Sequence, residues 1–196
     1  MFRRIASVIF NFILRVFYPV EVYGRENISK ENFLIIANHG HMFDPFLVNY
    51  AFKEHFYIIG KAELFKIPIL RKILELADVF PVSRDQLDLG AIKTSIAKLA
   101  QSSLLLFPEG TRNHSLDPLE GKSGAIMIAS KAEVKILPMV LVGNFKIFRP
   151  LKVFILPARE VGEYGFERMN SQAYKSIVDS LLNDIYTKLR EETNDH

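Results

Sequence analysis

The sequence contains no cysteine. Disulfides, thiolate nucleophiles and cysteine-ligated metals are therefore excluded, and the absence is compatible with a cytoplasmic setting. Long uncharged apolar runs are also missing: none reaches the roughly 18 residues of a membrane-spanning helix. Strong charge of one sign is absent, and the net charge of +3 is too mild to point to nucleic acid. No serine sits in a G-x-S-x-G setting, and there is no H-E-x-x-H pair. What the chain does have is apolar bulk. Of its 196 residues 49% are hydrophobic and 16 are phenylalanine, enough to bury a real core in one domain.

Residues 2–17 read as a helix in which Arg3, Ser7, Asn11 and Arg15 line one narrow face. Apart from Arg4, the remaining circumference is Phe, Ile, Val, Leu and Ala. An ideal helix between Arg4 and Arg15 covers only roughly 15 Å, half a hydrocarbon core. The segment is expected to be an amphipathic helix lying in a membrane interface with its arginines at the head groups. A plain core helix is the alternative. A cleaved signal peptide fits less well, because Phe17-Tyr18-Pro19 follows where small residues would stand. The expected division is an interface anchor over 1–18 and a globular domain over 19–196.

Short apolar strands at 20–23, 33–37, 56–59, 79–82, 104–107, 136–142 and 153–156 alternate with helical patterns at 46–52, 61–77, 88–100, 123–131 and 172–189. This alternation predicts a single layered α/β domain, its mixed, largely parallel sheet flanked by helices. Segment 61–77 mixes Leu64, Ile67, Ile69 and Ile73 with Lys66, Arg71 and Lys72. It reads equally as a second membrane contact or as a core helix that Pro68 breaks or starts. The closing helix carries one apolar stripe and is expected to be structural.

Two strand-to-helix junctions carry ionisable groups, where α/β folds place their chemistry. The first is Asn38-His39-Gly40-His41-Met42-Phe43-Asp44-Pro45. His39 and Asp44 can meet across the turn, the carboxylate holding one ring nitrogen and leaving the other as a base. The plainer reading makes Asp44 a helix N-cap and His39 a polar loop residue. The second junction is Pro108-Glu109-Gly110-Thr111-Arg112-Asn113. Two other patterns lead nowhere. Gly121-Lys122-Ser123 ends like a P-loop, but the first glycine would fall on Leu116. His39, His41 and Asp44 as metal ligands have no supporting motif.

N-H-x-x-x-x-D and F-P-E-G-T-R together resemble the glycerolipid acyltransferase family, in particular the 1-acyl-glycerol-3-phosphate (lysophosphatidic acid) acyltransferases. Phe80-Pro81-Val82-Ser83-Arg84 is similar to that family's second block and Ile136-Leu137-Pro138-Met139-Val140 to its fourth. Gly60 to Phe65 and Gly121 to Ala125 also match stretches typical of it. His41 stands where many members have Ser. The resemblance implies that 19–196 is an acyltransferase domain working at the cytoplasmic face of a membrane, against the phospholipid surface. The implied reaction moves a fatty acyl group from an acyl-CoA or acyl carrier protein thioester to the sn-2 hydroxyl of lysophosphatidic acid. The product would be phosphatidic acid for phospholipid synthesis, with no cofactor, no metal and no nucleic acid involved. His39 would be the general base and Asp44 would fix its tautomer. Arg84 and Arg112 would clamp the acceptor phosphate, with Lys61 and Lys122 adding charge. Glu109 would bond the glycerol hydroxyls or orient Arg112, and Gly110 and Thr111 would complete the substrate-binding turn. Backbone N–H groups around Gly40 or Gly110 are the expected oxyanion donors. The near alternative is another acceptor, glycerol 3-phosphate or a head-grouped lysophospholipid. The distant ones are a metal-dependent lipid or phosphate-ester hydrolase and a lipid-binding module without turnover.

Overall fold

A computed structural model of the chain describes residues 11, 12, 14–82 and 89–194. Most of the expected anchor helix, and Arg84, lie outside the described residues.

Among the described residues seven strands form one sheet: β1 (Val20–Tyr23), β2 (Phe33–Ala37), β3 (Phe56–Lys61), β4 (Val79–Val82), β5 (Ser103–Leu106), β6 (Lys135–Val142) and β7 (Leu151–Ile155). Their order is β1-β7-β6-β2-β5-β3-β4. Every neighbouring pair is parallel except β6 and β7. Among the described residues, the helices that follow β1 are α1 (Asp44–Phe52), α2 (Pro68–Leu76), α3 (Leu89–Leu99), α4 (Gly124–Ala132) and α5 (Ser171–Asn194).

The central strand shows why the apolar runs do not alternate. All five residues of β2 are buried, because both faces of the sheet are covered. Leu34 and Ile36 join Leu104, Ile136 and Val140 beneath α3, α4 and α5. Phe33, Ile35 and Ala37 face the other way, with Leu105, Leu137, Met139 and the α1 residues Leu47, Val48, Ala51 and Phe52. Leu14 lies in this second layer, fully buried, whereas Phe12, Val16 and Phe17 are exposed.

The segment 61–77 is not a core helix. It divides into a 3₁₀ turn, Ala62–Lys66, and α2, which Pro68 opens at its first position, where a missing N–H costs nothing. No residue of α2 is buried. Ile69 is 76% exposed, and Ile67, Ile73 and Leu76 are exposed as well.

The topology sets the position of the site. β2, β3, β4, β5 and β6 run the same way, so their C-terminal ends share one edge of the layer. β7 is reversed and β1 runs with β7, so the N-terminal ends of those two strands lie at the same edge. The turns after β2 and β5, neighbours at the centre, meet there.

Candidate active site

Asn38 fixes where the first turn begins. Its side chain copies a backbone partner: Nδ2 donates to the Leu141 carbonyl at 2.9 Å, and Leu141 N–H donates to Oδ1 at 2.8 Å. The sheet is thereby prolonged one residue past β2, and the chain then bends sharply. Asp44 is the first residue of α1 and acts backwards on the turn. Its Oδ2 accepts from Gly40 N–H at 2.8 Å, from His41 N–H at 2.7 Å and from His39 Nδ1 at 2.9 Å. It is 3% exposed. Asp44 is therefore not the N-cap of the plainer reading; it makes no capping bond, and Phe43 holds that position. With Nδ1–H given to a carboxylate, a neutral His39 ring carries its lone pair on Nε2. The ring stacks on Phe107 with centroids 4.0 Å apart and planes 17° apart, which restrains its second rotation.

The two turns are tied together by Asn113 N–H, which donates to the His39 carbonyl at 2.7 Å. Within the second turn Gly110 has φ +67°, a left-handed conformation, and its N–H donates to the Phe107 carbonyl at 3.0 Å. A side chain there would also crowd Lys122, whose Cε lies 3.1 Å from the place of a Cβ. Lys122 N–H donates to the Pro108 carbonyl at 2.9 Å, so its backbone braces the turn. Thr111 and Arg112 are exposed on the turn's crest, and Arg112 forms no ion pair among the described residues. Lys61 closes β3 at the same edge of the layer, with its ammonium 3.9 Å from Glu63.

Glu109 corrects one expectation. It is 5% exposed and bonds neither Arg112 nor open solvent. Its Oε1 accepts from Asn113 Nδ2, from Leu119 N–H and from the Tyr186 hydroxyl, each at 2.8 Å. Tyr186 lies on α5 and is 1% exposed. Burial first, and the Glu109 hydrogen bond second, push the Tyr186 hydroxyl far above its usual pKa, so it remains a donor. This buried trio forms the floor of the second turn. Asn113 and Tyr186 are the residues that sequence reasoning missed, and the F-P-E-G-T-R-N string marks only the first of them.

The hydrogen bonds narrow the oxyanion expectation to part of the second turn. The N–H groups of Gly40 and His41 are engaged by Asp44, and that of Gly110 by Phe107. The N–H groups of Thr111 and Arg112 make no hydrogen bond among the described residues. His41 turns from the dyad: its Nδ1 accepts from Phe43 N–H at 3.3 Å, and its ring stacks on Phe145 at 4.6 Å. Among the described residues no group of three or more His, Cys, Asp or Glu is placed to hold a metal ion.

A histidine oriented by a buried carboxylate, with an exposed arginine on the neighbouring turn, stands at the C-terminal edge of the sheet, within the stretch matched by the acyltransferase family model. That model matches residues 19–142, from β1 through β6. The chain belongs to the acyltransferase family. Among similar acyltransferases, a 1-acyl-sn-glycerol-3-phosphate acyltransferase from Borreliella burgdorferi is 31% identical over 82% of this chain and 70% of its own length. One of the same name from Streptococcus pneumoniae is 30% identical over 84% of this chain, which spans 63% of that relative's length. A crystal structure of a 1-acyl-sn-glycerophosphate (LPA) acyltransferase from Thermotoga maritima superposes with a TM-score of 0.67 at 25% identity. The likeness covers 88% of this chain and 73% of that one. The layered α/β architecture expected of an acyltransferase is thus the one found.

Proposed function

We propose that the chain transfers a fatty acyl group from a thioester, carried by coenzyme A or acyl carrier protein, to the sn-2 hydroxyl of 1-acyl-glycerol 3-phosphate, releasing phosphatidic acid. The observation that carries this reading is the 2.9 Å contact of His39 Nδ1 with Asp44 Oδ2, which leaves Nε2 as the base. The names of the similar proteins support the acceptor.

In the reaction, Nε2 takes the proton of the acceptor hydroxyl as its oxygen attacks the thioester carbonyl. Asp44 stabilises the imidazolium that forms. The tetrahedral oxyanion is received by backbone N–H groups, and those of Thr111 and Arg112, on the exposed crest of the second turn, make no hydrogen bond among the described residues. The imidazolium returns its proton to the departing thiolate. No serine or cysteine nucleophile is required, so no acyl-enzyme forms. Arg112, with Arg84, holds the phosphate, since a guanidinium matches phosphate oxygens bidentately. Lys61 and Lys122 add positive potential at the same edge.

Acceptor and product are lipids, so the site works against a bilayer from the cytoplasmic side, with the N-terminal segment as interfacial anchor. The exposed face of α2 and the turn before it, with Ile67, Ile69 and Ile73 beside Lys66 and Lys72, has the same composition of oil and positive charge. No helix among the described residues is long and apolar enough to cross a membrane.

The test is to incubate purified protein with acyl-CoA and acyl-carrier-protein thioesters and a panel of acceptors, with and without a chelator. The reading predicts chelator-resistant formation of phosphatidic acid without free fatty acid. Release of free fatty acid, or preference for an acceptor lacking the phosphate, contradicts it.

A further inference from the structure

We propose that the loop joining β6 to β7, residues 143–150, is a membrane-inserting element that seats the site-bearing edge of the sheet on an anionic bilayer. The loop lies at that edge because β6 ends and β7 begins there. Its sequence is Gly-Asn-Phe-Lys-Ile-Phe-Arg-Pro, with no carboxylate from 143 to 152.

The loop is built rather than slack. Lys146 N–H donates to Asn144 Oδ1 at 3.2 Å, and Arg149 N–H donates to the Lys146 carbonyl at 3.0 Å, closing a four-residue turn. Phe145, at φ 53°, points inward. Its ring packs on His41, Phe43 and Tyr18, and its carbonyl accepts the Tyr18 hydroxyl at 3.0 Å. With Phe145 turned in, the two residues at the crest of the turn are turned out. Ile147 is 60% and Phe148 72% exposed. An apolar pair at the apex of a hydrogen-bonded turn is otherwise a solubility cost. Here it is flanked on both sides by a cation, Lys146 and Arg149, both exposed.

The patch extends beyond the loop. Phe148 N–H donates to the Phe17 carbonyl at 2.9 Å, and the two rings lie 6.5 Å apart. Phe12, Val16 and Phe17 are exposed on that segment, with Arg15 among them. Met42, on the His39 turn itself, is 61% exposed. Apolar tips flanked by the cations Arg15, Lys146 and Arg149, on segments 11–20, 38–43 and 143–152 that carry no carboxylate, complement one kind of surface, a bilayer with anionic head groups. A partner protein would present carboxylates for the cations but not a fluid medium for Ile147 and Phe148. Because Phe145 joins the loop to His41 and Phe43, insertion of the tip places the His39 turn at head-group depth, where a lysophospholipid can enter sideways.

The proposal rests on the interfacial reading given above, and the experiment separates the two. Full-length protein is floated with equimolar phosphatidylcholine–phosphatidylglycerol vesicles and with pure phosphatidylcholine vesicles. Two double variants are compared: Ile147→Ser with Phe148→Ser, and Lys146→Gln with Arg149→Gln. The first should lose about tenfold or more in partition on both vesicles, with an unchanged thermal midpoint, since the altered side chains are exposed. The second should lose about fivefold per charge on the mixed vesicles and little on phosphatidylcholine alone. If the parent floats and both variants float equally well, the loop is not an insertion element and the anchor lies elsewhere. If the parent itself does not float, the interfacial reading fails and the proposal with it. A patch that serves a second copy instead would show as a sedimentation change in the first variant at unaltered flotation, which also overturns the proposal.

Discussion

The turn 38–44 is held by a carboxylate five residues from the histidine it orients, whereas the turn 107–113 is held by a hydroxyl 77 residues from the glutamate it bonds. Asp44 collects three donors from its own turn, so the first turn carries its own geometry. The second turn depends on α5 docking and delivering Tyr186. Damage to the first should therefore act on chemistry with little change in stability. Damage to the second should act on stability and reach chemistry through the Asn113–His39 backbone bond.

The largest expected effect is that of His39→Ala, which removes the base and should lower turnover about a hundred- to ten-thousandfold while thioester and acceptor still bind. A variant with near-parental turnover contradicts the role given to His39. Asp44→Asn comes next. Its neutral amide no longer stabilises the imidazolium and favours the wrong tautomer, and turnover should fall nearly as far. Arg112→Ala should raise KM for the phosphorylated acceptor by about tenfold, the lower end for a charge-assisted contact at a solvent-open position. Measured at saturating thioester, a change confined to the donor KM would remove Arg112 from the phosphate site.

Tyr186→Phe should have the smallest effect on turnover and the clearest on stability. Deleting the hydroxyl withdraws a donor from the buried Glu109 carboxylate, which costs about 1 to 3 kcal/mol in denaturant unfolding. The pH dependence has a defined sign. In the folded chain the Tyr186 hydroxyl ionises above its ordinary value, so the unfolded chain releases this proton first. The contribution is full below about pH 10, the unfolded value, and is lost as pH rises through the folded value. The phenylalanine variant should lack that share of the alkaline loss. An unchanged slope would mean that Tyr186 is not held protonated by its surroundings.

The same contrast explains what was legible in the sequence. The N-H-x-x-x-x-D spacing falls within one turn, so the His39–Asp44 contact could be read directly, as could the layered fold from alternating strands and helices. The role of Glu109 could not. A glutamate in a polar turn reads as a ligand for substrate, and only the packing of α5 against the sheet supplies Tyr186 as its partner. The stripe of α5 announced burial but not which buried residue carries a hydroxyl. Segment 61–77 was ambiguous for a related reason. An apolar helix with scattered cations reads alike whether a core or a bilayer covers it, and only the fold shows that α2 buries none of its residues.

The central claim is that Asp44 acts through His39 as one unit, and a double-mutant cycle in turnover tests it most directly. The account predicts that His39→Ala combined with Asp44→Asn is no slower than His39→Ala alone, because once the imidazole is gone the carboxylate has nothing left to orient. Losses that multiply, with the double variant slower by the product of the two single effects, would mean that the two residues act independently.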